Sequence, residues 1–362
     1  MDYWQNGEKE LLIALHQKMG DIGFDWRDDC IICDLTSDLS LVYSIDSSRR
    51  WLSHNDKDDA SVFGRWIAST ITSDVISCGV PPRGLALDIG LRAFQGETEL
   101  SLFLDGVLDV CREYGLKYEG GNLNRTNLVS GVSWGTSKPS RIIKRSGAQK
   151  DSVLLATAPI GVGWAYELLR RQEEYIPGSL KAPPEEFLKF VKSYKEKSTV
   201  NLDAFKKVWD LEVIDCGMDL TDGILEFAYE IYERTGLGII VAPVQHHPFV
   251  EYMAARLRIS PIDIILEPGY DTPLSHGWCI KKQNLEKVTS ILEQYNVPYT
   301  IWGEVTDCVT GVFREGESSL LPLPRYWDDK CRKESSFDIW EKSILGKKLD
   351  FFPNGQEMIK YE

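Results

Sequence analysis

Residues 69–82, STITSDVISCGVPP, decide how this chain is read. Upstream and through them, Val62, Phe63, Trp66, Ile67, Ile71 and Val75 recur at helical spacing, and Gly79 with Pro81 and Pro82 stops the helix. Asp74 lies inside this apolar run, next to Val75 and one turn after Thr70 and Ile71, so it points at least partly inward. An unpartnered carboxylate is costly to bury. Either a neighbouring loop backbone bonds it, or it holds a metal ion.

Working outward, five more aspartates sit among apolar residues. Asp28 and Asp29 precede CIIC at a strand entrance, where successive side chains face opposite ways, so one can face a metal while the other bonds a loop. Asp46 ends the next predicted strand, SLVYSID. Asp219 and Asp222 flank Thr221 in DLTDG, where an amphipathic helix over 224–234 begins and free N–H groups favour an anion or its metal. Plain helix capping is the simpler role for that turn, and the two are compatible. Hard cations such as Mg²⁺ take oxygen ligands and bridge carboxylates to phosphates, which accounts for both residue type and surroundings.

Two glycine turns add to this. EGGN contains Gly120 and Gly121 before Asn122, a backbone that can approach a phosphate closely; KRSGA sets Lys144 and Arg145 at a turn suited to one. Both are also ordinary turn sequences. The phosphate loop GxxxxGK[ST], a helix-opening GxGxxG, and the GxSxG, HExxH and HRD signatures do not occur. His246 and His247 precede Pro248 in a predicted loop and are candidates for a substrate role.

Residues 8–19 read as a helix, then CIICDL and SLVYSID as strands, the helix to Cys78, the strand GLALDIGL, the helix ETELSLFLDGVLDVCREYG closed by Gly115, and the strands LKYEGGN and NLVSGVSWGT. This β-β-α-β-α-β-type half ends near KRSGAQKDS. The strand SVLLATAP, a polar helical stretch over 184–209, the helix from 224, the strands GIIVAPV, WCIKK and YTIWGEV, and the helix NLEKVTSILEQYN form a second half. The expected units are 1–147, 148–325 and a polar, aromatic tail over 326–362 that the pattern does not place.

A length of 362 residues suits two domains, and the net charge of −14 argues against a broad nucleic-acid surface and against anionic membranes. The first twenty residues lack an apolar signal-like core, and SVLLATAPIGVGWAY is too short and too interrupted to span a bilayer. The eight cysteines read as reduced thiols of a cytoplasmic protein, with Cys30 and Cys33 packing in a strand rather than binding zinc.

In order, these segments resemble the aminoimidazole ribonucleotide synthetase-like (PurM-like) ATP-binding superfamily, and within it thiamine-monophosphate kinase. The resemblance runs from about Glu8 to Glu304. RDDCIIC stands for GDD and a strand, SID for [ST]TD, and STITSDVISCGVPP for NLSDxxAMGxxP. EGGN stands for GGD, RSGAQKD for RxGAxxGD, and DCGMDLTDGI for DxSDGL. The resemblance implies an α/β (α+β) two-domain fold, with the N-terminal mixed sheet closing a β-barrel across a homodimer and a C-terminal α/β domain.

It further implies a cluster of Mg²⁺ ions held by Asp29, Asp46, Asp74, Asp219 and Asp222, with Asp28 and Ser44 assisting, and ATP contacted by Gly120, Gly121, Asn122, Arg145 and Thr221. His54 matches the family's substrate-side histidine loosely. The implied activity is transfer of the γ-phosphoryl group to a small-molecule acceptor, thiamine phosphate or a related metabolite, by alignment and charge neutralisation without a protein nucleophile. A synthetase that activates an amide or carboxyl oxygen and a non-catalytic nucleotide-binding partner are the alternatives. Asn122 replaces the family's third aspartate, Ile45 replaces a threonine, and LEPGYDTPLSHGW lacks the family's GGEDYEL, so the acceptor side departs furthest. No cysteine precedes Cys30 and the sequence ends MIKYE, which argues against the selenophosphate and hydrogenase-maturation relatives.

Overall fold

In the computed structural model, residues 14–15, 17–19, 28–49, 60–175, 184–267, 269, 274–322 and 344–345 are described. His54 lies outside them, as does most of the expected helix 8–19, of which 14–15 and 17–19 are helical. Alternating apolar residues build a first sheet from β1 (Ile31–Thr36), β2 (Leu39–Arg49), β3 (Pro82–Gly90), β4 (Lys117–Asn124) and β5 (Leu128–Ser137), in the order β1-β2-β5-β3-β4. Only β3 and β4 pair in parallel, because a helix crosses between them; the other neighbours are antiparallel. β2 runs past the expected end, so Asp46 lies within the strand, opposite Gly131 of β5.

Helices α1 (Ala60–Ser77) and α2 (Glu97–Tyr114) belong to this half. Phe63, Ile67 and Ile71 of α1 and Phe103, Val107 and Val110 of α2 share one apolar core with Leu85, Leu87 and Ile89 of β3. The two helices meet backbone to backbone at glycines: a Cβ on Gly64 would stand 2.0 Å from the Phe103 carbonyl oxygen, and one on Gly106 would stand 1.9 Å from that of Ser61. Elsewhere on the sheet Ile45 and Leu123 are left 66% and 58% exposed.

The second sheet takes β6 (Ser152–Ala156), β7 (Ile214–Asp219), β8 (Gly238–Val241), β9 (His276–Lys281), β10 (Thr300–Thr306) and β11 (Val312–Arg314), in the order β11-β8-β10-β6-β9-β7. Its helices are α3 (Val162–Tyr175), α4 (Glu185–Glu196), α5 (Leu202–Trp209), α6 (Ile224–Thr235), α7 (Pro248–Leu257), α8 (Pro261–Ile265) and α9 (Leu285–Gln294). The stretch 184–209 is two helices rather than one, since Asn201 accepts the Ala204 N–H and starts α5 afresh. The expected His246-His247 loop is the entrance to α7: His247 Nδ1 accepts the Phe249 N–H and its ring packs on Phe190. Within the tail, Leu345 is buried against the second core and donates its N–H to Glu267.

The two halves share a core. Leu155, Phe205, Trp278 and Ile280 from the second half pack with Phe63 and Ile67 of α1. Helix α1 is the joint, touching β2 and β5 on one side and β7 on the other. Asp74 and Asp219 meet across this joint.

Candidate metal centre

The sequence SDVIS sets Ser73, Asp74 and Ser77 at the C-terminal end of α1, a helix that touches β2 and β7. Oxygens of Asp29, Asp74 and Asp219 all lie within 4.8 Å of one another. Asp29 enters just before β1, Asp74 from the last turn of α1, and Asp219 from the last residue of β7. Residues far apart in sequence thus converge because α1 packs between the two sheets.

Each carboxylate is oriented by a hydroxyl. Ser44 Oγ donates to Asp74 Oδ2, Ser77 Oγ to Asp29 Oδ2 at 2.6 Å, and Ser73 Oγ to Asp219 Oδ2 at 2.8 Å. Thr221 Oγ1 donates to the same Asp219 oxygen at 3.1 Å. The Arg145 guanidinium pairs with Asp29 and reaches Glu230 at 3.7 Å, while the Arg145 backbone N–H binds Asp28 Oδ1 at 2.7 Å. Glu230 is tied in turn to Arg234 at 2.6 Å. Arg145 therefore spans from the carboxylate cluster to α6.

Charge is under-compensated. Burial, then repulsion from Asp219 and Asp46, holds the Asp74 carboxyl well above the ordinary carboxylate range. Burial likewise raises Asp219, with Asp222 adding repulsion against the opposing pull of Ser73, Arg145 and Thr221. Asp46 and Asp222 are thus electrostatic neighbours of the trio without belonging to it. A divalent cation seated among hard oxygens is the arrangement that relieves this repulsion.

Gly120, Gly121 and Asn122 lie on β4, the edge strand of the first sheet. Gly121, at φ 150°, runs so close to β3 that a Cβ would meet the Leu87 carbonyl oxygen at 1.7 Å. Asn122 is exposed and donates its amide to Asp88 Oδ1 at 3.1 Å; Asn124 donates to the same oxygen at 2.9 Å. The sequence reading passed over Ser73, Ser77, Glu230 and His276. The serines were findable, since Ser69, Ser73 and Ser77 recur every four residues on one helix face. His276 is fully buried, with Nε2 3.3 Å from the Ser73 carbonyl oxygen, and burial lowers it to about 4, so its ring is neutral near pH 7.

Comparison with known proteins bears on the fold. Residues 27–136 match the family model for the AIR synthase related protein, N-terminal domain. A probable selenide, water dikinase of Caenorhabditis elegans is 30% identical over 258 residues, 66% of this chain and 61% of that protein, so the chain spans about three fifths of that relative's length. The thiamine monophosphate kinase of Aquifex aeolicus superposes with a TM-score of 0.67 at 18% identity, over 87% of this chain and 99% of that one. AaThiL complexed with AMPPCP and TMP gives 0.67 at 19% identity, over 86% and 94%. The chain has the PurM-like fold and carries, over residues 27–136, an AIR synthase related N-terminal domain.

Proposed function

We propose that this protein is a Mg²⁺-dependent, ATP-using phosphotransferase acting on a small-molecule acceptor. The observation that carries the reading is the convergence of Asp29, Asp74 and Asp219 from both halves, with their oxygens within 4.8 Å and two of the three carboxyls held above their ordinary range. The donor set suits Mg²⁺: hard carboxylate oxygens, hydroxyls that fix them, and an excess of negative charge. Asp29, Asp74 and Asp219 would hold the ion, with Asp28, Asp46 and Asp222 at its margin. Mg²⁺, when bound, supplies positive charge to phosphate oxygens during phosphoryl transfer.

The chain's own residues do the positioning. Ser44 fixes one oxygen of Asp74, and Ser73 with Thr221 one oxygen of Asp219, which leaves the second oxygen of each for the ion; both oxygens of Asp29 are oriented, one by Ser77 and the other by Arg145. Arg145 balances Asp29 and keeps the turn before β6 against α6. Gly120, Gly121 and Asn122 offer an exposed strand edge to the nucleotide. A homodimer would cover Ile45 and Leu123, which lie exposed on the first sheet. The neighbouring structure holding AMPPCP and TMP supports ATP as donor and a thiamine phosphate-like acceptor.

A second reading is favoured by the 30% identity to a probable selenide, water dikinase: the acceptor would then be selenide and water rather than an organic phosphate. The two are separated by incubating the protein with γ-labelled ATP, Mg²⁺ and either thiamine phosphate or selenide. The first reading requires label on thiamine diphosphate. Label appearing in selenophosphate selects the second; label found only in inorganic phosphate is ATP hydrolysis and, like retention of all label in ATP, rejects both.

A further inference from the structure

A cavity of about 660 Å³ opens in the second half, between the ends of α4 and α5, the turn after β6 and the segment that follows α9. This volume lies within the usual range for small-molecule sites. Phe190, Phe205 and Tyr295 supply aromatic walls from three separate elements. Thr157 and Asn201 sit at its polar end, and Lys197 stands exposed at its margin.

The cavity is not a passage to the carboxylate cluster. Phe205 meets the His276 ring edge-on at 5.3 Å, and His276 itself is fully buried against the Ser73 carbonyl. Phe205, His276 and Ser73 are all buried, and a run of contacts through them links the cavity lining to Asp219. Thr157 and Asn201 are occupied with backbone groups, Thr157 Oγ1 accepting the His276 N–H and Asn201 Oδ1 capping α5. The rings and Lys197 supply the aromatic and charged parts of the lining, beside the polar Ser193, Thr199 and Asn296.

Charge sets the ligand class. Among the described residues no acidic side chain lines the cavity, although the chain carries a net charge of −14. Among the described residues Lys197 is its one lining cation and has no ion-pair partner. Aromatic walls favour a flat ring system by offset or edge-on packing, and an unpaired ammonium at the mouth favours an anion. We propose that this cavity is a second ligand site that takes a flat aromatic molecule bearing one anionic group.

Anilinonaphthalene sulfonate has that chemistry and fluoresces when sheltered from water, so the full chain is titrated with it directly. One equivalent should bind saturably. Ser193→Trp, from an exposed position on the cavity lining, should abolish binding by filling the space. Lys197→Glu should weaken it about tenfold, and Lys197→Arg should not. Both sites are exposed, so unchanged melting temperatures are expected. Equal binding in wild type, Ser193→Trp and Lys197→Glu, or no saturable binding at all, overturns the site. Loss in Ser193→Trp with full affinity in Lys197→Glu overturns the anionic class. Neither ATP nor metal is needed, so the result stands apart from that of the phosphotransferase reading.

Discussion

In the proposed metal site, Asp74 is the carboxylate that burial and its neighbours hold well above its ordinary range. Its carboxyl stays protonated to a higher pH in the folded protein than in the unfolded chain. Its contribution to stability is therefore full below the ordinary carboxylate range and is lost as pH rises through the raised folded value. Metal-free protein should accordingly melt lower near neutral pH than in mild acid, and Mg²⁺ should restore the difference. Asp74→Asn keeps an oxygen for Ser44 while removing the charge, so in the absence of metal it should raise stability by about 1 kcal/mol, or Tm by roughly 1–2 °C for a chain of this length. The same variant should show no Mg²⁺-induced shift. Scanning calorimetry with and without Mg²⁺ checks both, and a destabilised Asp74→Asn protein would show that its charge is already balanced. Asp74 was legible in sequence because an acid inside an apolar helical run needs a reason. Glu230 and His276 were not, since their roles depend on Arg145 and Ser73, residues distant in sequence that only folding brings to them.

At the scale of elements, the junction of α1 with α2 fixes how the cluster is presented. Gly106 and Gly64 let the helix backbones touch, and no side chain fits between them. Gly106→Ala should cost about 2–3 kcal/mol by forcing the helices apart, visible as a lower urea midpoint with unchanged slope. A stability equal to wild type would mean that the pair adjusts freely. The helices and strands of the first half were readable because periodicity there is strong and glycine or proline closes each element. In the second half α3, α7 and α8 escaped. The α3 sequence follows a Pro- and Gly-interrupted apolar run, while α7 and α8 begin at Pro248 and Pro261, which read as breaks before they are recognised as first-turn prolines. Asn201 divides the 184–209 stretch by capping, a local event that helical composition hides.

For the whole molecule, the first sheet leaves Ile45 and Leu123 exposed while Leu87 and Ile89 are buried in the shared core. In the proposed dimer, Ile45→Asp should convert sedimentation from dimer to monomer with little change in Tm, whereas Leu87→Asp should unfold the chain. A wild-type monomer at micromolar concentration would remove the dimer. The order of motifs made the fold legible, because no single motif carried it and several together did. The acceptor was not legible, because LEPGYDTPLSHGW shares no pattern with the thiamine phosphate kinases it otherwise resembles. What the site does hinges on whether its carboxylates hold a metal against a nucleotide. Titration calorimetry of ATP against the wild-type protein, Asp74→Asn and Asp219→Asn, each with and without Mg²⁺, tests this most directly. The account predicts tight binding only by the wild type with Mg²⁺, weakened at least tenfold when Mg²⁺ or either carboxylate charge is removed. Equal affinity under all of these conditions would contradict it.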